Sequence, residues 1–180
     1  MKTVSELERL LGKGENVKIL FNDRQVAFDV EVDENSQEQG LSQTIHLVSK
    51  AVEGKFPNYK IVIPEDADQT VSIDRETLRE NISRAALVVT DKSQSITMTF
   101  SENQIVIKGQ SAEFGESEEK MEIEYGGPET KLTFNPEYLI HPLKVLEEDE
   151  VIFEFKNDMS PGVFKNNGHF SCVVMPLRLG

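Results

Sequence analysis

Residue types that could do chemistry are scarce and scattered in this chain. The three histidines, His46, His141 and His169, stand far apart. None has a cysteine or carboxylate at metal-ligand spacing, so each reads as a surface or packed histidine. The single cysteine, Cys172, excludes an internal disulfide, and its apolar surroundings mark it as a buried, unreactive thiol. Gly126-Gly127-Pro128 precedes a strand pattern and not a helix, so it is a turn and not a phosphate loop. The acidic run from Glu113 to Glu119 reads as a solvated loop. No catalytic residue, metal or cofactor is expected. The chemistry left is recognition, and two apolar runs could supply it. One is the tail Val173-Val174-Met175-Pro176-Leu177-Arg178-Leu179, although chain ends are usually polar and frayed. Such a tail either packs onto the chain or lines a groove for a partner. The other is Phe56-Pro57-Asn58-Tyr59-Lys60-Ile61-Val62-Ile63-Pro64.

The elements that must position these runs repeat along the chain. Thr3 to Glu6 fits a capping box, with Thr3 as N-cap, and Val4, Leu7, Leu10 and Leu11 follow at helical spacing until Gly12, free to adopt positive φ, ends the helix. A hairpin is predicted over Val17–Phe21 and Val26–Val32, where apolar residues alternate strictly. Asp33 to Ser42 reads as a loop, and Thr44 to Val48 as a strand. Asp74 then caps a second helix with a Leu78, Ile82, Ala85, Val89 stripe. Strands follow at Ile96–Phe100, Gln104–Lys108 and Met121–Tyr125. Phe21-x-x-x-Gln25-Val26-x-Phe28 and Phe100-x-x-x-Gln104-Ile105-x-Ile107 superpose at an offset of 79 positions. The third copy starts at Asn135, an N-cap with Pro136 at the first helical position, and Pro142 should kink or shorten its helix. Its strands are Val151–Phe155, Gly162–Lys165 and His169–Pro176. Copies two and three are each preceded by a strand, Thr70–Ile73 and Lys131–Phe134.

With 180 residues and 38% apolar content, the chain suffices for one full domain and part of another. A net charge of −13 argues against coating nucleic acid by bulk attraction, though not against a local basic surface. No apolar stretch approaches the ~20 residues of a membrane span, and the start is a helix signal, so a cytoplasmic protein is expected. On the second helix Arg75 and Arg79 stand one turn apart with Arg84 beyond, and Lys144 holds a comparable place on the third. They are either ordinary solvated charge or a binding surface.

The two apolar runs together resemble the bacterial sliding clamp, the beta subunit of DNA polymerase III. The shared motifs are F-P-x-Y-x-x-V-x-P, here Phe56 to Pro64, and V-V-M-P-x-R-L at the tail. The resemblance covers nearly the whole chain but only the C-terminal half of a clamp. It implies an α+β clamp fold, with residues 1–66 as half of the middle domain plus linker and 67–180 as the C-terminal domain. The implied peptide pocket takes Pro57, Ile61 and Val62 from the linker and Val173, Val174, Met175, Pro176, Leu177 and Arg178 from the tail. Met159 and Pro161 lie beside it, with Asn135 and Tyr138 at its rim. Ile61 stands where many clamps have Arg. Val173 and Val174 could equally be plain core.

The implied function is a processivity factor, or its C-terminal part, with no chemical step. Its implied partners are double-stranded DNA, the DNA polymerase III catalytic subunit, the clamp loader and other proteins with clamp-binding motifs. Arg75, Arg79, Arg84 and Lys144 would face DNA without reading sequence. Leu87 and Val88 would meet another subunit in a homodimer, or simply pack a helix end on its own sheet. A stand-alone peptide-binding adaptor that never encircles DNA is the alternative. Whether the chain is a fragment or a natural short form stays open. The half domain, with an apolar face and a sheet edge unmatched, is expected to make chains pair.

Overall fold

A computed structural model describes residues 2–64, 66–90 and 94–178. The chain divides into two compact units, Met1–Pro57 and Asn58–Gly180. Residues 58–66, expected with the half domain, therefore belong with the second unit.

The first unit holds α1 (Lys2–Leu11), β1 (Gly14–Phe21), β2 (Gln25–Val32), α2 (Glu34–Glu38) and β3 (Thr44–Lys50). Its antiparallel sheet has the order β1-β2-β3. The register sets Val17, Ile19 and Phe21 opposite Val30, Phe28 and Val26, and sets Val30 and Phe28 opposite Ile45 and Leu47. One face is thus apolar throughout. Helix α1 lies on that face, because Thr3 Oγ1 meets Ser49 Oγ at 2.9 Å and Ser49 pairs with Val26. Thr3 is accordingly inside α1 and not its cap, a correction to the capping-box reading. Gly12 follows α1 without entering the left-handed region; among the described residues Gly40, Gly54 and Gly115 are the positive-φ glycines. The stretch expected as a loop contains α2, whose N-cap Asp33 accepts hydrogen bonds from Ser36 N at 2.8 Å and Ser36 Oγ at 2.9 Å. Val30 and Val32 are this unit's buried apolar residues.

The second unit opens with a 3-10 turn at Tyr59–Ile61, capped by Asn58. Two repeats follow. The first is β4 (Gln69–Asp74), α3 (Arg75–Ala85), β5 (Ile96–Ser101), β6 (Gln104–Ser111) and β7 (Gly115–Glu122). The second is β8 (Thr130–Phe134), α4 (Pro136–Val145), β9 (Glu150–Phe155), β10 (Gly162–Lys165) and β11 (Ser171–Val174). Each repeat lends its first strand to the other, giving sheets β7-β6-β5-β8 and β11-β10-β9-β4. Helices α3 and α4 pack together. Asp74 caps α3 through Thr77 N at 2.7 Å, and Asn135 caps α4 through Glu137 N at 2.9 Å. Pro142 is accommodated, and α4 ends three residues later.

The core of this unit is shared between the repeats. Phe100 of one stacks on Phe153 of the other, ring centres 5.7 Å apart, and Phe153 meets Phe164 at 4.7 Å. Leu78, Ile82 and Ala85 from the α3 stripe, and Leu139 and Leu143 from α4, are fully buried against them. The acidic run Glu113–Glu119 is largely strand β7, not a loop. Glu118 pairs with Lys108 across the ladder and with Lys120 at 2.9 Å, and these lysines hold its carboxyl below the usual range. Cross-strand ion pairs offset the self-repulsion that made the run look unstructured.

Candidate functional site

At one end of the β11-β10-β9-β4 sheet, four chain segments meet. There β9 ends at Phe155, β10 starts at Gly162, β11 ends at Val174, and β4 starts at Gln69. Antiparallel order therefore delivers the end of the linker, the turn before β10 and the tail to one place. Pro64, Ala67, Phe155, Pro161 and Val163 line a small cavity of about 80 Å³ there. The preceding turn is tied by Asn157, whose Oδ1 accepts from Met159 N at 3.0 Å and Ser160 Oγ at 2.8 Å. That leaves Met159 exposed. At Gly162 any side chain would strike the Phe153 ring and crowd Phe134, so the chain enters β10 flat against the core.

The tail docks by its backbone. Val174 is buried in the core and Val173 is half-buried, so these two valines anchor the tail more than they face outward. Beyond them Met175 and Leu177 are exposed and Pro176 is half-buried. Leu177 N donates to Thr133 O at 2.7 Å, on the strand that leads into Asn135. That bond brings the tail to the N-terminus of α4, where Tyr138 is exposed. Arg178 is exposed; Leu179 lies outside the described residues. Ile61 and Val62 are exposed on the opening turn, Ile61 at 80%. Pro57 belongs to the first unit. Thr133, Ala67, Phe155 and Val163 went unnoticed in the sequence, since only the strand register brings them here.

The basic residues of the helices behave less uniformly than their spacing suggests. Arg75 is a packing residue. Its Nε donates to Glu148 O at 2.7 Å and its Nη1 to Leu143 O at 3.0 Å, and its side chain is only 18% exposed. It ties the start of α3 to the last turn of α4 and to the loop beyond it, so it packs between elements where the sequence suggested solvated charge or a DNA-facing cation. Arg79 is clamped on Glu76, a hydrogen bond that raises the guanidinium pKa and lowers that of the carboxyl. Arg84 meets Glu119 at 2.9 Å and Glu80 at 3.5 Å and also donates to Asn81; the Glu119 hydrogen bond chiefly raises its pKa. Lys144 is exposed, with no ion pair among the described residues. Leu87 and Val88 part company on a 3-10 turn. Leu87 is 80% exposed, whereas Val88 packs on β6, where the missing side chain of Gly109 lets the end of α3 rest on the strand.

Residues 60–178 match the family model described as DNA polymerase III beta subunit, C-terminal domain. The chain belongs to this sliding-clamp family. It is 35% identical over 133 residues to the beta sliding clamp of Pseudomonas aeruginosa, covering 73% of this chain and 36% of that protein. Against the beta sliding clamp of Escherichia coli K12 it is 29% identical over 180 residues, 99% of this chain and 46% of the other. A crystal structure of the Pseudomonas aeruginosa clamp bound to griselimycin superposes with a TM-score of 0.77 at 30% identity, covering 99% of this chain and 46% of that one. The chain thus spans about half the length of the clamps it matches over nearly its whole length. The clamp fold, α+β with open sheets, accords with the architecture described above. No helix among the described residues is long and apolar enough to cross a membrane.

Proposed function

We propose that this chain is the peptide-capturing part of a cytoplasmic processivity clamp that tethers the replicative polymerase, the clamp loader and other motif-bearing proteins to DNA, with no catalytic step of its own. The observation that supports this reading best is the docked tail, which lays Met175, Pro176 and Leu177 between the α4 N-terminus and the turn of Met159 and Pro161. Met adapts to varied apolar side chains, and Pro keeps a groove rigid and free of donors. Ile61, Val62, Asn135, Tyr138, Met159, Pro161 and Val173 to Arg178 form the proposed peptide site, all within the second unit. Short peptides with an apolar end are expected to bind at about 10 μM to 1 mM, or −4 to −7 kcal/mol. NMR titration should shift Met159, Met175 and Leu177 resonances. Shifts confined to other surfaces would reject the site.

Arg79, Arg84 and Lys144 are the residues proposed to face the duplex, and Leu87 and Val88 to meet another subunit of a homodimer. The acids beside both arginines favour a weak contact that topology, not charge, makes lasting. Non-specific DNA affinity of the chain should be weaker than about 10⁻⁴ M at physiological salt. That same pairing also supports the second reading, a peptide-binding adaptor that does not encircle DNA. A salt-dependent DNA interaction together with ring formation selects the clamp; peptide binding without either selects the adaptor.

A further inference from the structure

The connection between β10 and β11 holds the one Asn-Gly pair of the chain, Asn167-Gly168. It spans residues 166–170, between Lys165 and Ser171, which face each other across the ladder. Both residues of the pair are exposed. In such a pair the main-chain nitrogen of the glycine can attack the asparagine side chain, because glycine has no side chain to shield its amide and leaves the backbone free to turn. Here a neighbour occupies that nitrogen. Gly168 N donates to Asn166 Oδ1 at 3.0 Å, and Phe170 N donates to the same oxygen at 3.0 Å. The Asn166 side chain lies over the glycine: a Cβ built on Gly168 would meet Oδ1 at 3.4 Å. Asn166 is held in turn. Its Nδ2 donates to Glu148 Oε1 at 2.7 Å, and Arg75 Nε donates to Glu148 O at 2.7 Å. Hydrogen bonds from its own backbone N–H first, and from Asn166 second, hold the Glu148 carboxyl below the usual range, so the acceptor is ionised at neutral pH.

We infer that Asn167-Gly168 is a latent site of spontaneous covalent modification, that Asn166 guards it, and that conversion there loosens β11. In the first step Gly168 N gives up its proton and bonds to Asn167 Cγ. The Cγ–Nδ2 bond breaks and ammonia leaves, closing a succinimide ring. Water then adds to either ring carbonyl and opens the ring to aspartate or to isoaspartate. The first step needs a nitrogen free to deprotonate, and the bond to Asn166 Oδ1 ties up the proton that must leave. Isoaspartate lengthens the main chain by a carbon and adds a carboxylate to a turn whose Asn166 already lies against Glu148. Strand β11 is only Ser171–Val174 and takes its register from this turn, which sets Ser171 opposite Lys165. A longer turn releases that constraint. All of these residues lie in the second unit, and the inference does not depend on the clamp reading.

The test ages the 180-residue chain at mildly alkaline pH, measures isoaspartate with isoaspartyl methyltransferase and locates it by peptide mass spectrometry. Folded wild-type chain should form isoaspartate slowly at position 167, and chain unfolded in urea should form it faster. Asn166→Ala, folded by far-UV circular dichroism, should form it about two- to tenfold faster than folded wild type, the factor that one net hydrogen bond supplies. Asn167→Gln should abolish it in this turn. In aged wild-type chain, the converted fraction should exchange its Cys172, Val173 and Val174 amides faster, while those of Phe153 and Phe155 keep their protection. Equal rates in folded and unfolded wild type, or in Asn166→Ala and wild type, overturn the guard. Isoaspartate confined to other positions overturns the site. Unchanged exchange on β11 in the converted chain overturns the link to the strand. If Asn166→Ala does not fold, the comparison of folded with unfolded wild type decides the guard alone.

Discussion

The same repeat has two fates in this molecule. In the second unit two copies of helix-plus-strands close on each other, and Phe100, Phe134, Phe153, Phe155 and Phe164 are fully buried. In the first unit one copy stands with its own helix alone, Phe21 is 83% exposed, and α1 has no buried residue. The local patterns are equally good in both: strict alternation, a tight hairpin and an amphipathic helix. One helix on a three-stranded sheet covers part of an apolar face, and it takes a second repeat, with its lent strand, to cover the rest. The unit of stability in this fold is therefore the pair of repeats and not the repeat.

The sharpest test of that contrast compares aromatic truncations. Phe153→Ala removes a ring packed on Phe100, Phe155 and Phe164, and should cost about 3–5 kcal/mol. Phe21→Ala, at dilutions where chains are separate, should change stability by no more than about 0.5 kcal/mol, as surface substitutions do. Native-state hydrogen exchange reads the two units separately. Equal losses in both units would mean the first sheet has a core that its exposures do not show.

A smaller effect should come from the tie between repeats. Arg75 bonds one carbonyl in the last turn of α4 and one in the loop beyond it, and so joins the two repeats of the second unit. Arg75→Ala should destabilise the second unit by about 1.5–3 kcal/mol, the range for hydrogen bonds from a charged group. Arg84→Ala, on an exposed side chain, should leave stability nearly unchanged. Denaturant midpoints check both. If Arg75→Ala is silent and DNA binding falls instead, Arg75 acts as a surface cation after all.

Much of this was legible beforehand, and the reasons differ by residue. Leu78, Ile82 and Ala85 announce α3 because helical period and burial coincide, and Asp74 and Asn135 announce their caps because capping is local. The clamp fold was legible through two motifs at the chain's linker and tail. Arg75 was misread because its partners lie 68 and 73 positions away, and spacing along one helix is silent about a neighbouring helix. The acidic β7 was misread because Lys108, which makes it tolerable, sits on another strand. Ser117, Glu119 and Met121 do alternate toward the sheet, a signal hidden under the charge. At the candidate site Met175 and Leu177 were nameable from the tail, whereas Thr133 and the cavity walls exist only once strands are in register.

The mildest and last test sets the two capping aspartates side by side. Asp74 and Asp33 make the same local bond, each accepting from an N–H three residues on. Hydrogen bonds from Thr77 hold the Asp74 carboxyl below the usual range, and hydrogen bonds from Ser36, backbone first, do the same for Asp33. A carboxyl whose pKa is depressed on folding stabilises above its unfolded pKa of about 3.9 and loses that contribution as pH falls through the folded value. Both caps should therefore be at full strength at neutral pH and fade in acid. Their consequences should differ, because α3 carries core residues and α2 buries none. Asp74→Ala should cost the second unit about 1 kcal/mol at pH 7, and the gap from wild type should close on acidification. Asp33→Ala should fray α2 alone and leave the global transition where it was. A global loss from Asp33→Ala would show that the short helix braces the first sheet, and that this unit is more than a lone repeat with an open face.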